Sequence, residues 1–287
     1  MELQGRVEEL RRQGLGLATI SYDSRETVAA FAAARGITYT MLSDPGSATI
    51  RRYGILNTVA EEAFGPNRDD PAVQADVQRY VSVVGARENM RGIAFPGTFM
   101  LDTEGRVTSR FFEDFYITRN TVASILKRLG TDGAAVRGTT VSTEHLDLTT
   151  YPSDPEVAAG NRFSLVFEIA PKPGMHVYAP GADGYRVVTA MIEARPYLET
   201  RPLEYPASEI YHFEPLDERV PVFQRPFTLV QEVVLDGSPE SQALLRGQES
   251  VTIRGTLEYQ ACDDRICYNP VSVPLSWTVD LRTLVFR

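Results

Sequence analysis

The chain has 287 residues, a formal net charge of −9 and a sequence pI near 5.0. This length suffices for two domains with separate cores, and the acidic balance argues against nucleic acid and anionic membrane surfaces as partners. No apolar run is long enough to predict a transmembrane segment. The N-terminal residues lack the apolar core of a signal peptide. The chain as written is therefore expected in the cytoplasm, whereas an upstream start carrying a signal would place it in the periplasm.

Helical and extended patterns alternate along the first half of the chain, which is typical of an α/β domain. The predicted elements are a helix ending at Gly14 or Gly16, a buried strand over 15–22, a helix closed by Gly36, a strand over 38–42, a short helix over 47–53, a polar insertion over 57–92 with a helix at 71–84, a hairpin of strands over 97–102 and 106–112, and a helix over 120–129.

The second half has a different pattern, with several alternating runs, turn signals and no predicted helix. A glycine-rich stretch over 131–138 predicts a linker between the halves. The strands are predicted at 140–149, 163–170, 175–179, 187–194, 227–235, 251–259 and 271–280. This succession predicts an all-β sandwich.

The two cysteines of the chain, Cys262 and Cys267, lie between the last two predicted strands. We expect them at a turn, where they are close enough for a local disulfide. Three interpretations remain open: a structural disulfide or two buried thiols, a zinc site and a redox-active pair. A zinc site needs four ligands, and the chain offers only three histidines besides its carboxylates. A short loop gains little from cross-linking, which favours a redox switch over a structural bond.

Residues 255–270, with the segment Tyr259-Gln-Ala-Cys262 and a second cysteine followed by Tyr and Pro, resemble the active-site hairpin of the DsbD N-terminal domain family. The resemblance extends back to about residue 140. It implies an immunoglobulin-like sandwich in which Cys262 and Cys267 exchange electrons with thioredoxin-type partners, and in which Cys267 forms the mixed disulfide. It also implies a cap over the cysteines within 211–220. The cap and supporting residues are then Tyr178, His212, Phe213, Leu216, Tyr259, Asp263 and Asp264.

The first half, with the segment 92–106, resembles the latter part of a peroxiredoxin-type redoxin of the thioredoxin superfamily. Pro96 matches the cis-proline of that family, and Thr98 follows it at the start of a strand. The central strand and the catalytic cysteine of the family would precede Glu2, so we expect the upstream coding sequence to supply them. Without that strand, the sheet would divide into one pair of strands from 15–22 and 38–42 and a second pair from 98–102 and 107–112.

The sequence therefore predicts an α/β thioredoxin-like domain over 1–130, which lacks its first strand and cysteine, and an immunoglobulin-like sandwich over 139–287. The predicted function is thiol–disulfide exchange with antioxidant activity, without a cofactor or a metal. The predicted partner is a thioredoxin-type redox protein, with the chain's own redoxin domain as a partner in cis. Two alternatives are a non-catalytic binding or scaffold module with a structural disulfide and a metal-binding protein.

Overall fold

A computed structural model of the chain describes residues 2–84, 90–112, 118–128, 138–213 and 217–282. The packing of the backbone divides the chain into two units, Met1–Ile125 and Leu126–Arg287. The predicted linker over 131–138 lies outside the described residues except for Gly138. The predicted domain limits therefore stay predictions.

The first unit alternates short helices and strands. Its helices are α1 (Glu2–Arg12), α2 (Arg25–Arg35), α3 (Ala48–Arg52), α4 (Thr58–Glu62) and α5 (Pro71–Val84). Its strands are β1 (Ala18–Ser21), β2 (Thr40–Ser43), β3 (Gly97–Leu101), β4 (Val107–Phe112) and β5 (Arg119–Asn120). Helix α6 (Val122–Arg128) spans the division between the units. The residues at the two ends of α2 explain where this helix begins and ends. The side chain of Ser24 accepts the backbone N–H of Thr27 at its start, and Gly36 ends it with a φ of 61°.

Four strands of the first unit, β1 to β4, form two separate pairs. Strand β1 is parallel to β2, and β3 is antiparallel to β4, so both predicted pairs form. Among the described residues no strand joins one pair to the other. The predicted burial of the strand over 15–22 is wrong, because Ile20 is 44% exposed and its partner Leu42 is 46% exposed. A continuous apolar strand is buried only where both faces of its sheet are covered, and this face is not.

The structure also corrects the expected cis-proline. No cis peptide bond occurs among the described residues, so the bond before Pro96 is trans. A trans bond is the default for proline unless the surrounding fold selects the other isomer. Here the backbone N–H of Phe95 donates to the carbonyl of Ile55 at 2.7 Å, and β3 begins directly after Pro96.

The second unit is rich in strands, as predicted. They are β6 (Thr139–Ser142), β7 (Leu146–Pro152), β8 (Glu156–Val157), β9 (Asn161–Pro171), β10 (His176–Tyr178), β11 (Thr189–Ile192), β12 (Leu198–Glu204), β13 (Glu209–Phe213), β14 (Glu218–Phe223), β15 (Phe227–Leu235), β16 (Ser250–Tyr259), β17 (Ala261–Cys262) and β18 (Val271–Leu281). A short helix, α7 (Pro239–Leu245), was not predicted. It begins where the Ser238 hydroxyl accepts the N–H of Ser241 and a proline occupies the first turn.

Two sheets of the second unit pack face to face around its main core. One has the strand order β12-β15-β9-β7-β6 and the other the order β11-β16-β18-β8. The rings of Phe167 on β9 and Trp277 on β18 meet edge to face, with centroids 5.6 Å apart. The indole N–H of Trp277 donates to the hydroxyl of Thr150 on β7 at 2.9 Å. These contacts across the interior define a β-sandwich.

A third sheet, with the order β13-β14-β10-β17, positions the cysteines. Successive side chains of a strand point to opposite faces of the sheet. On one face, Val177, Phe223 and Ala261 join the main core. On the other face lies a second apolar cluster, called here the cysteine cluster. It consists of Tyr178, Ala182, Val220, Val222 and Cys262, with Tyr185, Val187 and Tyr211 packed against it.

None of the helices among the described residues combines the length and the apolar character needed to span a membrane.

Candidate functional site

Cys262 and Cys267 are joined by a disulfide, and their Cα atoms lie 4.1 Å apart. The chain reverses direction between them, because the N–H of Asp263 donates to the carbonyl of Ile266 at 3.0 Å. One carboxylate oxygen of Asp263 accepts the N–H groups of Arg265 and Ile266 at 2.8 and 2.7 Å. An aspartate that binds the backbone of the following residues stabilises a turn. The sequence around the pair therefore brings the two sulfurs together locally.

The environments of the two cysteines differ. Cys262 ends β17 and is 1% exposed, whereas Cys267 is exposed. Ile266, beside Cys267, is 57% exposed, so an apolar side chain lies open to solvent next to the accessible sulfur. A reagent or protein that approaches from solvent therefore reaches Cys267 and not Cys262.

The hydroxyl of Tyr178 contacts both sulfurs. Its oxygen lies 2.9 Å from Cys262 Sγ and 3.2 Å from Cys267 Sγ. Tyr178 is buried in the cysteine cluster on β10, next to the strand that carries Cys262. Burial first, and then the neighbouring Tyr185, raise the pKa of Tyr178 well above the ordinary value of a tyrosine. The phenol therefore keeps its proton at neutral pH and remains a hydrogen-bond donor.

Tyr185 and Glu218 extend this contact away from the sulfurs. The rings of Tyr178 and Tyr185 stack with centroids 4.0 Å apart and planes 13° from parallel. The Tyr185 hydroxyl donates to a carboxylate oxygen of Glu218 at 2.6 Å. This hydrogen bond is the main cause of the raised pKa of Tyr185. Sequence reasoning missed both residues. Tyr185 follows a glycine turn, outside any periodic pattern, and Glu218 was included only as part of the cap range.

His176 is the Cα partner of Cys262 across β10 and β17. It is buried, and its ring packs on Tyr211 with centroids 4.5 Å apart. Burial lowers the pKa of His176, while the negative charge of Asp263 acts in the opposite direction. The imidazole is therefore neutral at neutral pH.

The predicted cap residues lie at the ends of β13 and β14. His212 and Phe213 end β13, and the His212 ring lies 2.7 Å from a carboxylate oxygen of Asp217 just before β14. Tyr211 is the residue of β13 that packs against the cysteine cluster. Leu216, proposed as part of the cap, lies outside the described residues.

The remaining predicted residues of this unit occupy different positions. The Tyr259 hydroxyl lies 2.8 Å from the Thr143 hydroxyl, and its ring is buried in the main core rather than in the cysteine cluster. Asp264 is exposed, next to Arg265 at 3.8 Å. Asp263 supports the turn and accepts the hydroxyl of Tyr268 at 2.9 Å. Hydrogen bonds from the backbone of Ile266 and Arg265 are the main reason why the pKa of Asp263 is lowered.

The predicted redoxin positions belong to the first unit. Pro96 directly precedes β3, and Thr98 on β3 is the partner of Phe111 on β4. Both cysteines of the chain lie in the second unit, so the first unit has no thiol of its own.

The metal-binding alternative needs a group of ligands. In the described ranges, no three His, Cys, Asp or Glu side chains are gathered as a metal site requires. The metal-binding interpretation therefore has no ligand set to support it in this part of the chain.

Comparison with known families confirms both predicted resemblances. Residues 1–110 match the AhpC/TSA family, and residues 149–274 match the family described as thiol:disulfide interchange protein DsbD, N-terminal. Each match covers less than half of the chain, and the two do not overlap. No curated protein matches the chain significantly.

Two solved structures show a distant likeness. The DsbD N-terminal domain of Neisseria meningitidis, in the reduced form, is 16% identical over 41% of this chain and 77% of its own, with a TM-score of 0.27. The N-terminal periplasmic domain of ScsB from Proteus mirabilis is 10% identical over 51% of this chain and 52% of its own, with a TM-score of 0.34.

Proposed function

We propose that this chain is a thiol–disulfide oxidoreductase in which the Cys262–Cys267 disulfide exchanges electrons with a thioredoxin-type protein. The single observation that carries the proposal is the asymmetry of the pair, since one sulfur is exposed, the other is buried, and a buried phenol contacts both. A reactive cysteine needs access from solvent, and a resolving cysteine needs to be close to it. The two family matches support the same class of chemistry.

The reaction proceeds by two successive exchanges. A thiolate of the reduced partner attacks Cys267 Sγ, a bond forms between these sulfurs, and Cys262 leaves as a thiolate. The second thiolate of the partner then attacks its own sulfur in the mixed disulfide and releases Cys267 as a thiolate. The partner leaves oxidised, the chain has gained two electrons, and water protonates the two thiolates. In the reverse direction the chain delivers these electrons to an oxidised partner.

We propose that the first unit takes part in the same electron transfer. Its match to the AhpC/TSA family supports a thioredoxin-like fold and a role in antioxidant electron transfer. The second unit then takes the immunoglobulin-like fold of its family, and the domains are 1–130 and 139–287. We include the first unit as a candidate partner in cis, provided that it receives a cysteine from outside the present sequence. The end of β13, with His212 and Phe213, is the proposed cap together with Leu216.

The test is capture of the mixed disulfide. Thioredoxin without its resolving cysteine is activated with an aromatic disulfide and mixed with Cys262→Ser or with Cys267→Ser. We expect Cys262→Ser to form the covalent complex through the exposed Cys267, and Cys267→Ser to form far less because Cys262 is buried. The two variants are matched controls, since each leaves one thiol in the same turn.

Two results would contradict the proposal. Equal capture by both variants would show that the exposure of the sulfurs does not direct the reaction. If neither variant is captured and reduced thioredoxin leaves the wild-type disulfide intact, the bond is a structural one, and the binding-module alternative is correct.

A further inference from the structure

Exchange at Cys267 places a negative charge on the buried sulfur of Cys262. When a thiolate attacks Cys267, the sulfur that leaves is Cys262 Sγ, and it carries a negative charge in a site that is 1% exposed. A buried thiolate without a hydrogen bond or a positive partner is strongly disfavoured. The charged side chain next to Cys262 in sequence is Asp263, which has the wrong sign, and Arg265 extends into solvent. Among the described residues, the hydrogen-bonding group at Cys262 Sγ is the hydroxyl of Tyr178, at 2.9 Å.

The Tyr178 hydroxyl is placed to donate to sulfur. Its oxygen lies within hydrogen-bond distance of both Cys262 Sγ and Cys267 Sγ, while its ring stacks on Tyr185. Tyr185 donates its own proton to Glu218. A disulfide sulfur is a weak acceptor, so the hydrogen bond from Tyr178 is weak in the oxidised protein. A thiolate is a charged acceptor and binds a donor more strongly.

We propose that Tyr178 is a catalytic residue whose hydroxyl donates to the Cys262 sulfur as the disulfide opens and thereby stabilises the leaving thiolate. The inference rests on the proposed function, because it assigns a role within the exchange reaction. The hydroxyl rotates about its own C–O bond and moves no heavy atom. The stacked ring of Tyr185 and the packing of the cysteine cluster hold the oxygen in place through the reaction. The phenol proton stays on Tyr178, and the thiolate takes its proton from water after the exchange.

The first measurement is the pKa of the Cys262 thiol in the reduced Cys267→Ser protein. The 13Cβ chemical shift of labelled cysteine, recorded as a function of pH, gives this pKa. Tyr178→Phe removes only the hydroxyl and should raise this pKa by about one unit, a tenfold loss of thiolate at a given pH. Replacement of Tyr178 by 3-fluorotyrosine keeps the ring and makes its hydroxyl a more acidic, stronger donor, so it should lower the pKa. The opposite signs separate hydrogen bonding from packing, because a packing defect has no reason to change sign.

The second measurement is the rate at which dithiothreitol reduces the wild-type cysteine pair. Tyr178→Phe should be about tenfold slower than wild type. Tyr151→Phe is the matched control, since it removes a hydroxyl bonded to Glu168 at 2.5 Å elsewhere in the same unit and should reduce at the wild-type rate. Dithiothreitol requires no protein surface, so this test stands even if thioredoxin is not the partner.

The outcomes are distinct for the two proposals. If folded Tyr178→Phe keeps the wild-type thiol pKa and reduction rate, Tyr178 has no catalytic role, while the capture experiment still decides the exchange function. If Tyr178→Phe does not fold, the protein with 3-fluorotyrosine at position 178 decides, and a raised or unchanged thiol pKa in that protein overturns the inference.

Discussion

His176 and Cys262 are directly opposed across the antiparallel strands β10 and β17. Both side chains are buried, and the imidazole is packed on Tyr211. Because burial lowers the pKa of His176 below its ordinary value of 6.5, the unfolded chain binds this proton more readily than the folded chain. The free energy of unfolding therefore decreases as the pH falls below about 6.5. It continues to decrease until the pH reaches the lowered pKa of His176.

We expect this loss to shrink in His176→Phe, which keeps an aromatic ring on Tyr211 but cannot take up a proton. The measurement is urea unfolding of both proteins at pH 7.5 and pH 5.5. His145, His212 and Asp263 are present in both, so the difference between the two pH dependences belongs to position 176. Identical losses in the two proteins would show that His176 does not titrate in this range.

The exposed Ile266 gives a prediction about partner binding. This apolar side chain lies next to the accessible sulfur, so a protein that docks on that sulfur would bury it. Ile266→Asp should slow reduction by thioredoxin about tenfold through the loss of one buried apolar contact, while reduction by dithiothreitol stays at the wild-type rate. Ile210→Asp is the matched control, because Ile210 is 67% exposed on β13 and points to the face opposite Tyr211. Equal slowing by both substitutions would mean that negative charge, and not this contact, is responsible.

The two aspartates of the turn should differ in their effect on the redox equilibrium. Asp263→Ala removes the carboxylate that binds two N–H groups and the Tyr268 hydroxyl, so the turn that keeps the sulfurs together is weakened. The dithiol is then favoured, and the pair becomes more oxidising. Asp264→Ala removes an exposed charge that solvent already screens, and the shift should be much smaller. Titration of each variant against a dithiothreitol buffer measures both effects. A shift for Asp264→Ala as large as that for Asp263→Ala would make charge the dominant cause.

A stability prediction concerns the interior of the sandwich. The Thr150 hydroxyl accepts the indole N–H of Trp277 and donates to the carbonyl of Val166 at 2.8 Å. Thr150→Val leaves the buried indole N–H without this acceptor, which should cost about 1–3 kcal/mol. Thr252→Val makes the same chemical change on an exposed pair with Thr278 and should cost no more than about 0.5 kcal/mol. Trp277 is the only tryptophan of the chain, so its fluorescence during urea unfolding reports on this interior. Equal losses in the two variants would exclude the indole hydrogen bond as the cause.

The strongest strands were predictable because their patterns are long and regular. The strand predicted over 227–235 is β15, and those predicted over 251–259 and 271–280 are β16 and β18 to within one residue. The helix over 71–84 likewise matches α5. The predicted strand over 140–149 is in fact β6 and β7, because the Thr143 side chain accepts the N–H of Leu146 and closes a turn between them.

Other strands were missed for physical reasons. Strand β12 contains charged residues and Pro202, and it lies at the edge of its sheet, where polar residues and proline are tolerated. Only tertiary pairing identifies it as a strand.

The site was only partly predictable. The cysteines and Asp263 lie within one short segment, so the sequence shows that they belong together. Tyr178 was included through the family resemblance. Its contact with Tyr185 and the bond from Tyr185 to Glu218 depend on how distant segments pack, and no pattern within either segment encodes that.

The separation of Tyr178 from Cys262 by 84 positions also bears on the order of events during biosynthesis. The two cysteines, five positions apart, are close enough to pair as soon as both have left the ribosome. Tyr178, Tyr185 and Glu218 emerge earlier but meet the sulfurs only when β17 docks beside β10, with β16 and β18 on either side of it in the chain. A nascent chain can thus form the disulfide before the residues that would govern its reactivity have packed around it. Early oxidation would produce an ordinary peptide disulfide, and the docking of β17 beside β10 would convert it into the one described above.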